Sequence, residues 1–196
     1  MTQHRALTHA DILPLEQYES ERRVHRQRIG ALKKNRRVAV GPVATFYFEN
    51  FDTMWHQVHE MLAVERGGAA QLEDELAAYN PLIPRGSELI ATIMFEIEDA
   101  AQRGRTLAQL GGVENKIFLA FAGEKIAGIP DPTRENTSPE GKASSVQFIR
   151  FPFSDAQRAK FKAPGTSVQA GIEHPNYGHI AALPEAVRQA LAADLA

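Results

Sequence analysis

The sequence predicts an α+β fold: a single domain with one mostly antiparallel sheet, packed helices and a long N-terminal helix. Two observations carry this prediction. Stretches with helical periodicity and stretches with two-residue alternation do not alternate regularly along the chain, as they would in a doubly wound fold. The segment SELIATIMFEIED (87–99) alternates apolar and polar residues, as a half-buried antiparallel strand does. At 196 residues, 43% of them hydrophobic, the chain can bury the core of one domain spanning 1–196.

The first element is a predicted helical segment covering about residues 8–34. Thr8 can cap a short turn with Asp11 three residues later, and Pro14 then lies where a first helical turn tolerates proline. The apolar residues of this segment return at three- and four-residue steps but cover only part of one side, so we expect the helix to lie on the surface.

Two strands and two helices are predicted to follow. RRVAVGPVATFYFEN (36–50) indicates two strands separated at Gly41-Pro42, because proline removes a backbone donor and favours a turn. The helix containing WHQVHEMLAVER (55–66) is expected to stop at the Gly67-Gly68 pair. A helix around 71–79 then ends where AYNPLIPRGS places two prolines close together.

The second half of the chain is predicted to be richer in strands. Its predicted elements are a helix at 99–110, a hairpin at 115–129 turning near Gly123, a strand at 144–153, a helix opened by Ser154 and Gln157, strands at 166–174 and 179–183, and a closing helix after Pro184. The run DPTRENTSPEGKA (131–143) is almost wholly polar and turn-forming, which indicates a long loop. Such loops are usually either functional lids or disordered.

Composition excludes several classes of site. The chain has no cysteine, so thiol nucleophiles, disulfides and Cys-ligated zinc or iron-sulfur clusters are excluded, and any metal must be held by His, Asp or Glu. No apolar run reaches signal-peptide or membrane-spanning length, so we expect a cytoplasmic protein without a membrane partner. Residues 1–37 hold nine Lys or Arg against four acidic residues. Because interleaved aromatic residues are missing there, we expect no nucleic-acid partner.

Four histidines are candidate metal ligands. His56 and His59 are three residues apart on the helix with WHQVHEMLAVER, and HPNYGH supplies His174 and His179. His-x-x-His-Glu is neither the zincin motif nor the di-iron motif, so a third ligand would have to come from elsewhere. The alternative is that these histidines are solvated or hydrogen-bonded.

Charged residues on the same helix suggest a second kind of site. Glu60 falls toward the polar side, whereas Glu65 points toward the apolar side, where an unpaired carboxylate would be costly. Either the helix frays and exposes Glu65, or an arginine such as Arg66 or Arg85 pairs with it. In the functional interpretation, Glu60 or Glu65 acts as a general base and Arg66 as an anion clamp.

Five blocks carry a family resemblance that spans nearly the whole chain. They are KKNRRVAVGP, QVHEMLAVER, AYNPLIPRGSELIATIMFE, SSVQFIRFPF and EHPNY. In order and spacing these blocks resemble a family of bacterial proteins catalogued as domain of unknown function 3501. The resemblance implies a cytoplasmic protein often encoded beside rubrerythrin-like di-iron proteins and iron-sulfur proteins. The shared positions are Gln57, Glu60, Glu65, Arg66, Tyr79, Asn80, Pro81, His174 and Pro175, whereas His56 and His59 lie outside the family pattern.

Three functional hypotheses follow. The first is an accessory or binding protein of an iron-dependent redox system, which recognises a partner protein or an anionic ligand through helix 52–66, the 79–84 turn and the basic segment 33–37. Its candidate binding residues are Gln57, Tyr79, Asn80, Arg85, Arg36 and Arg37. The second is a small enzyme that uses Glu60 or Glu65 with Arg66, with or without a His/carboxylate metal. The third is a structural homodimer joined through a sheet edge or the first helix. Whether the protein is an enzyme, and which cofactor it uses, stays open at this point.

Overall fold

The computed structural model describes residues 5–196, which form a single-domain α+β fold of six α-helices and two antiparallel sheets. The helices are α1 (Leu15–Lys34), α2 (Phe51–Glu65), α3 (Gly68–Tyr79), α4 (Ala100–Ala108), α5 (Asp155–Lys162) and α6 (Glu185–Ala192). The strands are β1 (Arg37–Val40), β2 (Ala44–Phe48), β3 (Glu88–Phe95), β4 (Ile117–Phe121), β5 (Glu124–Ala127), β6 (Ile129–Pro130), β7 (Val146–Pro152), β8 (Val168–His174) and β9 (Tyr177–Ala182). The predicted fold class is confirmed.

The strands form two sheets instead of the single sheet predicted. The first sheet has the order β1-β2-β3-β7-β6 and the second the order β5-β4-β8-β9, and neighbouring strands are antiparallel. The main core contains buried apolar side chains from both sheets, among them Phe48, Ile93, Ile149, Leu119 and Ile172. Alternation within one strand shows which of its residues are apolar but not which other strand it pairs with, so the division into two sheets was not predictable from it.

The outer face of the first sheet carries a second, smaller apolar cluster. Phe51, Met54 and Val58 of α2 belong to it, together with Leu76 of α3 and Ile90 of β3. Since Ile90 and Thr92 are also buried, β3 is covered on both faces along part of its length and is not simply half-buried as predicted. Helices α2 and α3 therefore lie against this face, and the space they leave open forms the site described below.

The long first helix begins later than the predicted residue 8. Thr8 and Asp11 bound a short 3₁₀ turn, in which the Thr8 amide donates to Asp11 Oδ2 over 2.8 Å. Pro14 caps α1, which then runs for 20 residues to Lys34. Tyr18 and Ile29 are buried and fix this helix to the body. None of the helices within residues 5–196 is long and apolar enough to cross a bilayer.

The polar loop 131–143 packs against the end of α4 and the segment that follows it. The Ala143 amide donates to the Leu107 carbonyl over 3.0 Å, and the Thr137 hydroxyl donates to Glu114 over 2.9 Å. Gly111 approaches Gly141 so closely that a β-carbon at Gly111 would lie 2.2 Å from the Gly141 oxygen. The loop is thus attached to the body through hydrogen bonds and close packing.

Candidate functional site

A cleft of about 410 Å³ lies on the outer face of the first sheet. Its floor consists of side chains that the strand register aligns. Tyr47, Thr92 and Phe148 face one another across β2, β3 and β7 in one cross-strand row. Met94 and Val146 form the neighbouring row two residues further along β3 and β7. Because side chains two residues apart share a face of a strand, both rows project into the cleft.

Helical segments form the walls of the cleft. Met54 and Gln57 come from α2, Tyr79 and Leu82 from the end of α3 and the turn after it, and Lys33 from the last turn of α1. The Gln57 side-chain amide donates to the Tyr79 hydroxyl over 3.4 Å, and burial raises the pKa of Tyr79. The walls thus come from the helix, the turn and the basic segment that the sequence predicted for binding. Gln57 and Tyr79 are the two predicted binding residues that line this cleft.

Glu49 places a buried carboxylate in the same cleft, with 8% of the residue exposed. Its two oxygens accept hydrogen bonds from the hydroxyls of Thr53 at 2.6 Å and Thr92 at 2.7 Å. Arg36 donates to the main-chain oxygen of Glu49 and not to its carboxylate. Among residues 5–196, no Lys, Arg or His forms an ion pair with Glu49. Buried charges are normally paired, yet Glu49, Glu75 and Glu114 are each 8% exposed and form no ion pair with residues 5–196. Of these three, Glu49 lines this cleft.

Lys33 supplies a cation to the same cleft. Its side chain is half-buried, and it makes no hydrogen bond or ion pair with the residues that the structure describes. At the rim, the Tyr47 hydroxyl donates to Glu96 over 2.6 Å, and burial together with this carboxylate raises the pKa of Tyr47. The cleft therefore offers a ligand one carboxylate, one ammonium, an amide and two phenols beside apolar side chains.

Sequence reasoning missed Glu49 as a site residue. The only signal was its position: Glu49 follows the last residue of β2 and precedes Asn50, which caps α2 by accepting from the Thr53 amide. Polar residues at a strand end are ordinary, so this position alone does not distinguish a site residue from a capping segment. The functional meaning comes from Thr92, which reaches Glu49 from another strand.

Comparisons with known proteins place the chain in a family. A family model described as protein of unknown function (DUF3501) matches residues 6–195. The chain belongs to this family. It is also similar to a crystal structure described as that of a novel protein of unknown function from Burkholderia pseudomallei, with 38% sequence identity and a TM-score of 0.91. That match covers 98% of this chain and 100% of the other. The search of curated proteins gave no match.

In this DUF3501 protein, the predicted catalytic residue Glu60 is part of the contact between α1 and α2. Its carboxylate accepts from Nε and Nη2 of Arg22, each at 2.9 Å, from Arg26 and from the hydroxyl of the buried Tyr18 at 2.8 Å. Hydrogen bonds from these residues hold the pKa of Glu60 well below its usual range; Arg22 has the largest effect, and Arg26 and Tyr18 have smaller ones. A carboxylate engaged by two arginines is a poor general base, because it has little tendency to take up a proton.

Both ring nitrogens of the predicted metal ligand His59 are engaged within the fold. Nδ1 lies 2.7 Å from the Trp55 carbonyl and Nε2 lies 3.0 Å from the Leu13 amide. These partners assign a neutral ring that donates from Nδ1 and accepts at Nε2. Burial lowers the pKa of His59, which agrees with that neutral form. His59 therefore attaches the segment before α1 to α2.

His56 is also buried and lies beside Tyr18, with Nδ1 3.0 Å from the hydroxyl oxygen. Since Tyr18 donates its own hydrogen to Glu60, the shared hydrogen at His56 belongs to Nδ1. Burial lowers the pKa of His56 to about 4, and the carboxylate of Glu60 opposes this shift only in part. His56 thus joins the polar network between α1 and α2.

The other two predicted metal ligands lie in the β8–β9 hairpin. His174 donates from Nε2 to the Gly111 carbonyl over 3.3 Å and accepts from the Asn176 amide over 3.2 Å, while the ring of His179 packs edge-on against Tyr177. Within residues 5–196, no three His, Asp or Glu side chains are grouped so that they could hold a metal ion. The four histidines are therefore not brought together as the predicted metal site required.

Arg66 lines a cavity of about 250 Å³ together with His59, but neither Glu60 nor Glu65 lines it, so the predicted pocket of Glu60 or Glu65 with Arg66 is not formed there. Helix α2 extends through Glu65, whose exposed carboxylate accepts from the Gln71 side-chain amide over 3.2 Å, so Glu65 is neither buried nor paired with an arginine. Arg66 adopts a left-handed conformation with φ of 54° and pairs with Glu19 of α1. Arg85 is exposed, and its amide donates to Glu88.

The remaining predicted binding residues have structural positions or lie apart from the cleft. The Asn80 side chain accepts from the Leu7 amide over 2.7 Å and donates to the Leu7 carbonyl, so it holds the N-terminal segment. Arg36, predicted to bind a partner protein or an anionic ligand, is 4% exposed, and its guanidinium is engaged in a buried ion pair with Asp194. Arg37 is exposed on the edge strand β1.

Proposed function

We propose that this DUF3501 protein is a binding protein whose cleft on the first sheet holds a small ligand. The observation that carries the proposal is the buried carboxylate of Glu49, which lies in the cleft without an ion-pair partner among the described residues. A cleft with apolar walls and a few convergent polar groups is the usual form of a small-molecule site.

A purely structural role explains this arrangement less well. A carboxylate kept for stability is normally exposed or paired, because desolvation of an unpaired charge opposes folding. Asp194 in the same protein illustrates the paired case, since it is buried against Arg36, whereas Glu114 is as buried as Glu49 and accepts from the Thr137 hydroxyl without an ion pair among the described residues. The position of Glu49 in the cleft, and not its burial alone, therefore supports the proposal. Glu49 instead lies in an open cleft of about 410 Å³ that Lys33 also lines, where a ligand can complete its hydrogen bonds.

Enrichment of metabolites from a bacterial extract tests this proposal. The immobilised protein is incubated with the extract and washed, and the bound molecules are identified by mass spectrometry after denaturation. Gln57→Trp fills the cleft, and Gln27→Trp is the matched control on the exposed side of α1. We expect the wild type and Gln27→Trp to enrich the same metabolite and Gln57→Trp to lose it. The proposal is abandoned if the wild type enriches nothing, or if Gln57→Trp retains everything that the wild type binds.

We further propose that the protein serves as a cytoplasmic accessory to an iron-dependent redox system. The support is the family resemblance, which implies rubrerythrin-like and iron-sulfur partners, and a cysteine-free sequence suits a protein that assists such chemistry without ligating a cluster through thiolates. Affinity purification of the tagged protein from its native cells, with mass spectrometry of captured proteins, is the test. Capture of a di-iron or iron-sulfur protein is expected, and repeated capture of neither kind contradicts this part of the proposal.

A further inference from the structure

We infer that the ligand of the cleft is dipolar: an amino-acid-like molecule that carries both an ammonium group and a carboxylate. The inference rests on the proposed binding function of the same cleft. It adds the chemical class of the ligand, which follows from the two charged side chains that line the site.

The ammonium group is assigned to Glu49. Its carboxylate already accepts one hydroxyl hydrogen on each oxygen, from Thr53 and from Thr92. Each carboxylate oxygen accepts more than one hydrogen bond, so both oxygens retain acceptor capacity toward the cleft. A cationic N–H donor supplies hydrogen bonds and the opposite charge together, and charge-assisted hydrogen bonds are stronger than neutral ones. A second carboxylate placed at this position would be repelled.

The carboxylate of the ligand is assigned to Lys33. This lysine lines the same cleft and makes no ion pair with any residue that the structure describes, whereas Arg22, Arg26 and Arg28 on the same helix pair with acidic residues. An ammonium attracts an anionic group as a compact point charge with three rotatable donors. Since the cleft contributes one anion and one cation, a ligand with no net charge but two charged ends matches both.

The apolar part of the ligand has its own surface in the cleft. Met54, Leu82 and Phe148 line the cleft beside the polar groups, and Met94 at the neighbouring row is 36% exposed. An aromatic ring and flexible apolar side chains accommodate apolar groups of varied shape. The volume of about 410 Å³ lies within the range of small-molecule sites and suits an amino acid or a short peptide.

Isothermal titration calorimetry on the full chain tests the inference. The probes are the protein amino acids, ω-amino acids and dipeptides, each compared with the matched amine that lacks the carboxylate and the matched acid that lacks the ammonium. We expect at least one dipolar probe to bind, and its matched amine and acid to bind about tenfold more weakly or worse, because each lacks one charged contact. Tighter binding of free amino acids than dipeptides identifies the source as a free amino acid, and the reverse order identifies a peptide.

Two variants assign the contacts to residues. Glu49→Gln is expected to raise the Kd of the dipolar probe and of the matched amine while leaving that of the matched acid unchanged. Lys33→Met is expected to raise the Kd of the dipolar probe and of the matched acid while leaving that of the matched amine unchanged. Lys34→Met, the exposed neighbour of Lys33, is the matched control and is expected to bind like the wild type. Circular dichroism confirms folding of each variant. Glu49→Gln replaces one of the two oxygens that accept from Thr53 and Thr92 by an NH2 donor, so Lys33→Met provides an independent test if that variant fails to fold.

Failure of this inference differs from failure of the proposed function. If no dipolar probe binds, but a metabolite of another charge type is enriched by the wild type and lost in Gln57→Trp, the cleft is a binding site and the dipolar assignment is wrong. If a dipolar probe binds Lys33→Met and Glu49→Gln as tightly as it binds the wild type, the assignment is also wrong. If neither the probes nor the extract yields a ligand that Gln57→Trp loses, the binding function itself is refuted.

Discussion

The buried histidine His56 is expected to make the stability of this protein depend on pH. Burial lowers its pKa from the ordinary 6.5 to about 4 in the folded state. Between these two values the unfolded chain binds a proton at His56 that the folded chain does not. Falling pH therefore favours unfolding in that window. The free energy of unfolding is not affected by His56 protonation above pH 6.5. It decreases between pH 6.5 and about pH 4, and below about pH 4 His56 causes no further loss.

The magnitude follows from the size of the shift. One pKa unit corresponds to about 1.36 kcal/mol, so a decrease from 6.5 to about 4 amounts to about 3 kcal/mol in the free energy of unfolding. Since ΔG of unfolding for a domain is about 5–15 kcal/mol, this loss is readily measurable. Glu60 adds a second loss of stability at lower pH. Because its pKa is lowered in the folded state, Glu60 stabilises the fold at pH values above the ordinary pKa of glutamate, and this stabilisation is lost as the pH falls toward its folded-state pKa.

Urea unfolding followed by circular dichroism, on the wild type and on His56→Gln, isolates the histidine. Glutamine does not titrate and retains an amide that can donate to the Tyr18 hydroxyl, while Glu60 and His59 are present in both proteins. The stability advantage of the wild type over the variant is expected to shrink by about 3 kcal/mol between about pH 7 and about pH 4. If both proteins lose the same stability over that range, burial of His56 does not lower its pKa and the reasoning fails.

Two further predictions concern contacts within the fold. Arg36→Met is expected to cost about 3–5 kcal/mol because it leaves Asp194 as a buried charge, and the double variant with Asp194→Leu is expected to cost less than the sum of the single variants. Additive losses in urea unfolding would show that the pair is not coupled. Gly111→Ala is expected to cost about 1–3 kcal/mol, since the added β-carbon meets the carbonyl of Gly141 and displaces loop 131–143. Amide hydrogen exchange in the loop should rise in this variant, and unchanged exchange would contradict the expected displacement.

Features that depend on residues close together in the sequence were predictable. Ser154 and Gln157 form the expected capping box, and the hairpin turns near Gly123 as expected. The break at Gly41-Pro42 likewise separates β1 from β2. Each of these features depends only on a few neighbouring residues and their intrinsic backbone preferences. A short stretch of sequence therefore contains all the information needed to predict it.

Burial of the charged residues could not be read from a helical pattern alone. The position of Glu65 on the helix predicted an apolar environment, but α2 ends at that residue and leaves the carboxylate exposed. Glu60 was placed toward the polar side, yet α1 covers that side and brings Arg22 and Arg26 to it. A periodicity shows which residues share a face, whereas the neighbour that covers the face is decided by packing.

The sequence by itself determined the fold class and most element positions. Its predicted binding segments, helix 52–66, the 79–84 turn and the basic segment 33–37, each contribute residues to the walls of the cleft, and their role in binding stays a prediction. Only the tertiary structure decided that Lys33, Glu49, Thr92 and Phe148 line one cleft. The register between β2, β3 and β7 aligns the floor, and the packing of α1, α2 and the turn after α3 places the walls above it. These contacts join residues far apart in sequence. They form when the whole core is buried, so no local preference encodes them.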